Sequence, residues 1–262
     1  MPAAWELIQP GQVPSGITEI GSARVSGQPD LSVVQPAAPP VQKKLAVLIP
    51  HTGEVSSEWT LMFRELMLPP GSQIFMSRGM PIDVTRESMV KSALDFGFEW
   101  IFFLDSDVIV PRDALQKLFS HGLPLVCGIY KAKKPNGFFW AAWMRGKTPE
   151  GKEAFVPVAD WNGRLFEVDV TGAGCMLVNR SVFDDIRKKT DLPFFVWGKE
   201  RNPTLLDKLN APDPLMRDVS EDFWFCMLAK HCGIRIIIDG DVKCGHLTTV
   251  KITDKTVTLP GV

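Results

Sequence analysis

The sequence predicts an α/β fold in which a mostly parallel central sheet is flanked by helices. Two observations carry this. Short, continuous apolar runs alternate with stretches of helical periodicity through residues 45–130, the pattern of repeated strand–helix units. The runs lack polar alternation, as strands buried on both faces do.

The elements follow in order. Residues 45–49 (LAVLI) form the first strand, ended by Pro50. Residues 58–68 space their apolar side chains as a helix does, and Pro69-Pro70-Gly71 stops it. A second short strand covers 73–76. Residues 83–96 read as a helix, with Val84, Met89, Val90, Ala93 and Leu94 apolar and Gly97 at its end. The third strand is 100–104, with Asp105 at its C-terminal edge. A helix over 111–119 carries Pro111 near its first turn, and 125–130 is the fourth strand.

Beyond residue 130 the pattern changes. Residues 131–162 are rich in Trp, Gly, Pro and Lys and show no clear period. Residues 165–170 alternate, and Thr171-Gly172-Ala173-Gly174 leads into a strand over 175–178. A short helix covers 181–189. Residues 192–218 hold Pro193, Pro203, Pro212 and Pro214 and read as a long irregular stretch, the kind that serves as a lid. A helix over 220–231 and a last strand over 234–238 precede residues 239–246. No internal repeat is present.

Residues 1–42 differ from all of this. Pro2, Pro10, Pro14, Pro29, Pro36, Pro39 and Pro40 interrupt a stretch with little apolar periodicity, an extended arm or linker. The chain therefore divides into an arm over 1–42 and one domain over 43–262. That domain has a first half over 43–130 and a second over 131–262.

The totals exclude several classes. The 262 residues carry a net charge of -1, so there is no global basic field and no nucleic-acid partner is expected. No apolar run reaches the eighteen or so residues of a membrane span; the longest, over 100–110, is broken by Asp105 and Asp107. The N-terminus has no basic segment followed by an apolar one, so no signal peptide is expected and the default location is cytoplasmic. Cys127, Cys175, Cys226, Cys232 and Cys244 are odd in number and form no C-x-x-C. Neither a disulfide framework nor a structural zinc site is expected.

Three stretches end predicted strands: Pro50-His51-Thr52, Ser77-Arg78-Gly79 and Asp105-Ser106-Asp107. In open α/β sheets ligands bind beyond the carboxyl ends of the strands, so these should converge. Asp105 and Asp107 lie directly past a buried strand, and hard cations such as Mg²⁺ or Mn²⁺ take oxygen ligands beside substrate phosphates. The plain alternative is a turn, where Asp and Ser are common. Glu221-Asp222 opens a predicted helix; the pair either favours the helix dipole or points a carboxylate into a pocket as a general base. His246 follows the last strand and is either a surface group or a further metal ligand. Arg78 and Arg86 suit a diphosphate or an ordinary ion pair. Trp140, Trp143, Trp161 and Trp197 suit sugar platforms or core packing.

The order of these motifs resembles the GT-A-fold glycosyltransferases, particularly the family-two-like and mannan-polymerase-like members. The matching pieces are 45–50, the helix carrying Arg86, Phe102-Phe103-Leu104-Asp105-Ser106-Asp107, residues 169–177, Ser220-Glu221-Asp222-Phe223 and Cys244-Gly245-His246. The resemblance implies a UDP- or GDP-sugar donor, a divalent cation (Mn²⁺ or Mg²⁺), and a glycan, protein or small-molecule acceptor. It implies nucleotide contacts from Pro50, His51, Thr52, Ser77, Arg78, Arg86, Asp105 and Ser106. It also implies metal contacts from Asp105, Asp107 and His246, and base or acceptor roles for Glu221 and Asp222. Residues 43–130 become the nucleotide-binding half and 131–262 the acceptor side, while the arm offers a route to oligomerisation. Some retaining members possess the C-terminal histidine and plain inverting members often lack it, so the stereochemical outcome stays open. A nucleotidyltransferase and a non-catalytic nucleotide-sugar-binding module are the alternatives. The first usually brings a basic, Gly-rich loop after the first strand, and here no Lys or Arg follows Pro50 before Arg64.

Overall fold

The computed structural model describes residues 44–79, 81–134, 137–161, 164–197, 201–209 and 213–248. The arm over 1–42 lies outside the described residues.

The elements run β1 (Leu45–His51), α1 (Ser57–Glu65), β2 (Gln73–Arg78), α2 (Ile82–Asp95), β3 (Trp100–Leu104), β4 (Val108–Ile109), α3 (Ala114–Ser120) and β5 (Leu125–Lys134). Then come β6 (Gly137–Trp140), β7 (Ala142–Lys147), β8 (Glu153–Pro157), β9 (Leu165–Val168), β10 (Val170–Thr171) and β11 (Cys175–Asn179). The chain continues through α4 (Arg180–Lys189), α5 (Arg201–Leu206), a 3₁₀ turn (Pro214–Asp218), α6 (Glu221–His231) and β12 (Ile236–His246).

Among the described residues one sheet has the order β2-β1-β3-β11-β5-β12-β4, with β6 on β5 and β9 on β12. β1 runs parallel to β2 and β3, and β12 runs parallel to β5. β11 is antiparallel to both β3 and β5. β1, β2, β3, β5 and β12 therefore point one way, with β11 reversed among them. β7, β8 and β10 form a separate three-stranded sheet.

The continuous apolar runs have a direct cause. Ala46, Leu48, Ile101 and Phe103 face one core, which includes Met89 and Val90 of α2, Phe183 of α4 and Trp224 of α6. Leu45, Val47, Phe102 and Leu104 face the other, which includes Trp59 of α1 and Leu115 and Leu118 of α3. Both faces of the strands are covered, so no polar position is needed between the apolar ones. Among the described residues no helix is long and apolar enough to cross a membrane, and all five cysteines are free and buried.

The structure corrects the sequence reading at several points. β1 continues through Pro50 to His51, because its pairing with β3 ends at Leu48 and the ladder on that side has no further place for an N–H. The helix expected over 111–119 begins at Ala114, after a turn in which Ala114 N–H donates to Pro111 O. The region over 131–162 is not irregular: it holds the end of β5, β6 and the β7–β8 pair. Those two strands are half-exposed and short, which hides their period.

Part of the expected lid is core. Phe194, Phe195 and Val196 are buried; carboxylates of α2 hold this stretch, Glu87 accepting from Phe195 N–H and Asp83 from Trp197 N–H. Finally, the chain does not turn after residue 238. β12 runs on to His246 with a register shift between Ile238 and Lys243.

Candidate active site

A cavity of about 860 Å³ opens at the carboxyl edge of β1 and β3. Pro50, His51, Thr52, Arg86, Asp105, Ser106, Asp107, Glu221 and Asp222 all line it. The end of β1, the end of β3, α2 and the start of α6 thus meet at one place. Ser77 and Arg78 stand one strand further out, in register with Pro50 and His51. Of that turn, Gly79 is the residue that reaches the cavity. The Arg78 guanidinium lies instead against Gly53, where an added Cβ would meet it at 3.1 Å.

The backbone around Asp105 is tied on several sides. Its N–H donates to Gly174 O at 3.2 Å. Its carbonyl accepts from Val108 N–H at 3.1 Å and from the Trp59 indole N–H at 3.0 Å. Trp59 is buried and stacks on Phe63. The Asp107 carbonyl accepts from Leu247 N–H at 2.7 Å, which draws the end of β12 over the rim.

Arg86 is buried at 4% exposure and grips two carboxylates. One terminal nitrogen donates to Asp105 Oδ1 and the other to Glu221 Oε1. Burial alone would lower the guanidinium pKa, but Asp105, Glu221 and Asp222 outweigh it and the net direction is up. Its terminal nitrogens therefore face carboxylates rather than open cavity.

The two acids of α6 differ. Glu221 is buried, and burial followed by repulsion from Asp222 pushes its pKa up to about 7 against the pull of Arg86. Asp222 is also raised, first by burial. Its Oδ1 accepts from Ser220 Oγ–H and Phe223 N–H. Ser220 occupies the N-cap position but gives its hydroxyl to Asp222 rather than capping the helix. Asp222 Oδ2 points toward Gly172, where an added Cβ would lie 3.4 Å away.

His246 stands beside the cavity. Its Nδ1 is 2.9 Å from Lys131 O, and because a carbonyl only accepts, Nδ1 carries the proton there. Nε2 faces Asp107 Oδ2 at 3.4 Å. The hydrogen bond to Asp107 raises the imidazole pKa against the effect of burial. Among the described residues no three His, Cys, Asp or Glu side chains gather into a ready-made metal cage. Asp105 spends one oxygen on Arg86, which leaves Asp107 and His246 as the adjacent pair.

Trp140, Trp143 and Trp161 pack with other aromatic rings, and neither they nor Trp197 line this cavity. Trp140 meets Trp161 edge-on, Trp161 stacks on Phe166, and Trp143 meets Phe223 at 4.6 Å. Trp197 is 45% exposed. Sequence reasoning missed Glu54, Ser56, Ile82, Leu247 and Thr248 as lining residues, and it missed Trp59 and Tyr130 as supports. The Gly172 and Gly174 pair was the available signal for Tyr130.

Neither a family model nor a curated protein matches the sequence. Among solved structures the chain is similar to A197 from STIV, at 18% identity and TM-score 0.49, over 79% of this chain and 86% of that one. It is also similar to GalNAc-T7 with UDP, GalNAc and Mn²⁺, at 11% identity and TM-score 0.50, over 80% of this chain. It spans 45% of the GalNAc-T7 chain. At such identities the likeness is one of fold, and the fold is that of a GT-A glycosyltransferase.

Proposed function

We propose that the protein is a metal-dependent glycosyltransferase that moves a sugar from a nucleotide-diphosphate sugar to an acceptor hydroxyl. One observation carries the reading. Asp105-Ser106-Asp107, Pro50-His51-Thr52 and Glu221-Asp222 line a single cavity at the carboxyl edge of a GT-A-type sheet. Such an edge is where open α/β sheets bind ligands.

The donor chemistry at the rim fits a divalent cation. Asp107 offers a half-exposed carboxylate and His246 places Nε2 beside it, a ring nitrogen that would give up its proton on binding a metal; oxygen with one imidazole suits Mn²⁺ and is tolerated by Mg²⁺. Asp107 and His246 would hold the ion, and Asp105 would add Oδ2, the oxygen that Arg86 does not take. A bound cation supplies charge neutralisation for the departing diphosphate. Pro50, His51, Thr52 and Ser106 shape the nucleotide side, with Ser77 and Arg78 supporting that wall from the next strand. Residues 43–130 are thus the donor half and 131–262 the acceptor side.

The acid pair divides its work. Glu221 holds Arg86, and Arg86 holds Asp105. Asp222 lines the cavity with one oxygen, Oδ2, left out of the bonds to Ser220 and Phe223, and its pKa, raised first by burial, suits a group that accepts the proton of an acceptor hydroxyl. UDP- and GDP-sugars are the donor classes, and glycans, proteins and small molecules the acceptor classes.

Thermal-shift measurements with UDP-, GDP- and CDP-sugars, with and without Mn²⁺, test the reading. One donor should raise the melting temperature only with metal. A ligand at a hundred times its Kd adds about 2.7 kcal/mol. No shift with any nucleotide sugar sinks the proposal, and a shift with nucleoside triphosphates alone turns it to nucleotidyl transfer.

A further inference from the structure

Tyr130 is the single tyrosine in the sequence. It is buried on β5 and does not line the cavity. Its hydroxyl accepts from Gly174 N–H at 3.3 Å, and Gly174 O accepts from Asp105 N–H at 3.2 Å. One residue thus links the hydroxyl to the backbone of Asp105.

Two glycines keep room for that hydroxyl. A Cβ built on Gly172 would lie 2.0 Å from Tyr130 Oη and 3.4 Å from Asp222 Oδ2. A Cβ built on Gly174 would meet Val108 Cγ2 first, at 2.7 Å, and lie 3.1 Å from Oη and 3.2 Å from Asp105 Oδ2. The hydroxyl, Asp105 Oδ2 and Asp222 Oδ2 therefore border the same small space. The other end of the reach is the ring, which meets the His246 imidazole edge-on at 5.3 Å. His246 in turn faces Asp107 Oδ2 at 3.4 Å.

We infer that Tyr130 is a positioning residue that sets the placement of Asp105 through its hydroxyl and of His246 through its ring, and so fixes the metal–diphosphate end of the cavity. The inference rests on the glycosyltransferase reading above. It also assigns a purpose to Gly172 of Thr171-Gly172-Ala173-Gly174: a side chain there would displace the phenol oxygen. The residue touches neither donor nor acceptor, since it does not line the cavity. Groups that orient metal ligands from behind commonly matter about tenfold or more for metal affinity or activity.

Three variants test this. Tyr130→Phe deletes the oxygen and keeps the ring, Gly172→Ala drives a methyl against the oxygen, and the double variant relieves the worst of the collision, leaving ring Cζ at 3.1 Å from the methyl. UDP and GDP are titrated into each protein by calorimetry, with Mn²⁺ and without metal, and melting temperatures are recorded. Tyr130→Phe should weaken the Mn²⁺-dependent diphosphate affinity about tenfold, leave metal-free affinity unchanged and melt within a few degrees of wild type. Gly172→Ala should lower both melting temperature and Mn²⁺-dependent affinity, and the double variant should recover part of the melting temperature. Wild-type Mn²⁺-dependent affinity in Tyr130→Phe overturns the inference, and so does a double variant no better than Gly172→Ala. If Gly172→Ala does not fold, the Tyr130→Phe titration decides. A wild-type protein that binds neither diphosphate sinks the transferase reading instead, a separate outcome.

Discussion

Replacing Arg86 with Met should be the most damaging single change near the cavity. Met fills similar space, so the loss is chiefly electrostatic. Arg86 and Glu221 are 4% and 8% exposed, and Asp105 is 25% exposed. Removing one partner of a buried ion pair costs about 3–5 kcal/mol, because the remaining charge is left without compensation. Asp105 retains some water, so the lower part of that range applies, about 3–4 kcal/mol. For a domain of this size each kcal/mol moves the melting temperature by about 2–4 °C, which gives a drop on the order of 10 °C.

The loss should depend on pH, and its sign follows from linkage. Glu221 already sits at about 7 with Arg86 present; without Arg86 its folded pKa rises further. A carboxyl whose folded pKa is raised contributes stability that is complete below its unfolded value, near 4.3. That contribution is lost as pH rises through the folded value. Arg86→Met should therefore show a smaller deficit at pH 5 than at pH 8.5. Urea unfolding followed by tryptophan fluorescence at both pH values measures this. Adding Glu221→Gln to the variant should flatten the dependence. An equal deficit at both pH values, or one below about 1 kcal/mol at pH 8.5, refutes a buried ionic bridge.

Further outcomes follow from other parts of the molecule. Asp107→Ala should abolish transfer while leaving the melting temperature within a few degrees, because the side chain is half-exposed; wild-type turnover with ample metal would reject its role. His246→Ala should weaken Mn²⁺ affinity in the presence of nucleoside diphosphate more than it weakens metal-free nucleotide binding, and equal Mn²⁺ affinity would remove it from the ligand set. Asp239 is fully buried between Arg164 and His121. Burial raises its pKa, but the hydrogen bonds from Arg164 and His121 prevail and the net direction is down. Asp239→Asn should cost about 1–3 kcal/mol at pH 7. The gap to wild type should close below about pH 4, as falling pH protonates the depressed carboxyl; a gap unchanged by acid would contradict this. Deleting residues 1–42 should leave donor binding unchanged, and loss of folded protein would overturn that.

The central strands were legible because burial on two faces leaves a purely apolar signature. β6, β7 and β8 were not, since short strands with one wet face mix Trp, Gly and Lys without a clean period. β12 was cut short for a different reason. Asp239-Gly240-Asp241 reads as a turn, yet Asp239 is held by Arg164 and His121, and an added Cβ on Gly240 would lie 2.3 Å from the Trp161 indole. A charge inside a strand is invisible as such until its partners are known. Arg86 shows the same limit. Its partner Glu221 is 135 residues away, so sequence could offer it only as a cation near a cavity.

The charge of the cavity ties these pieces to the proposed chemistry. Glu54, Asp105, Asp107, Glu221 and Asp222 line it, and Arg86 is the one lysine or arginine among the lining residues. Arg86 is already committed to two carboxylates. A diphosphate entering alone would face this acid surface with no free guanidinium to meet it. Two unit charges of like sign about 6 Å apart repel by roughly 3 kcal/mol at an effective dielectric near 20, and several such pairs would act together. Under the proposed reading, a divalent ion beside Asp107 and His246 would reverse the sign at that rim. The same acids that repel the donor alone would attract it with its cation. On that reading donor binding and metal binding should be cooperative, each raising the affinity for the other by the same factor.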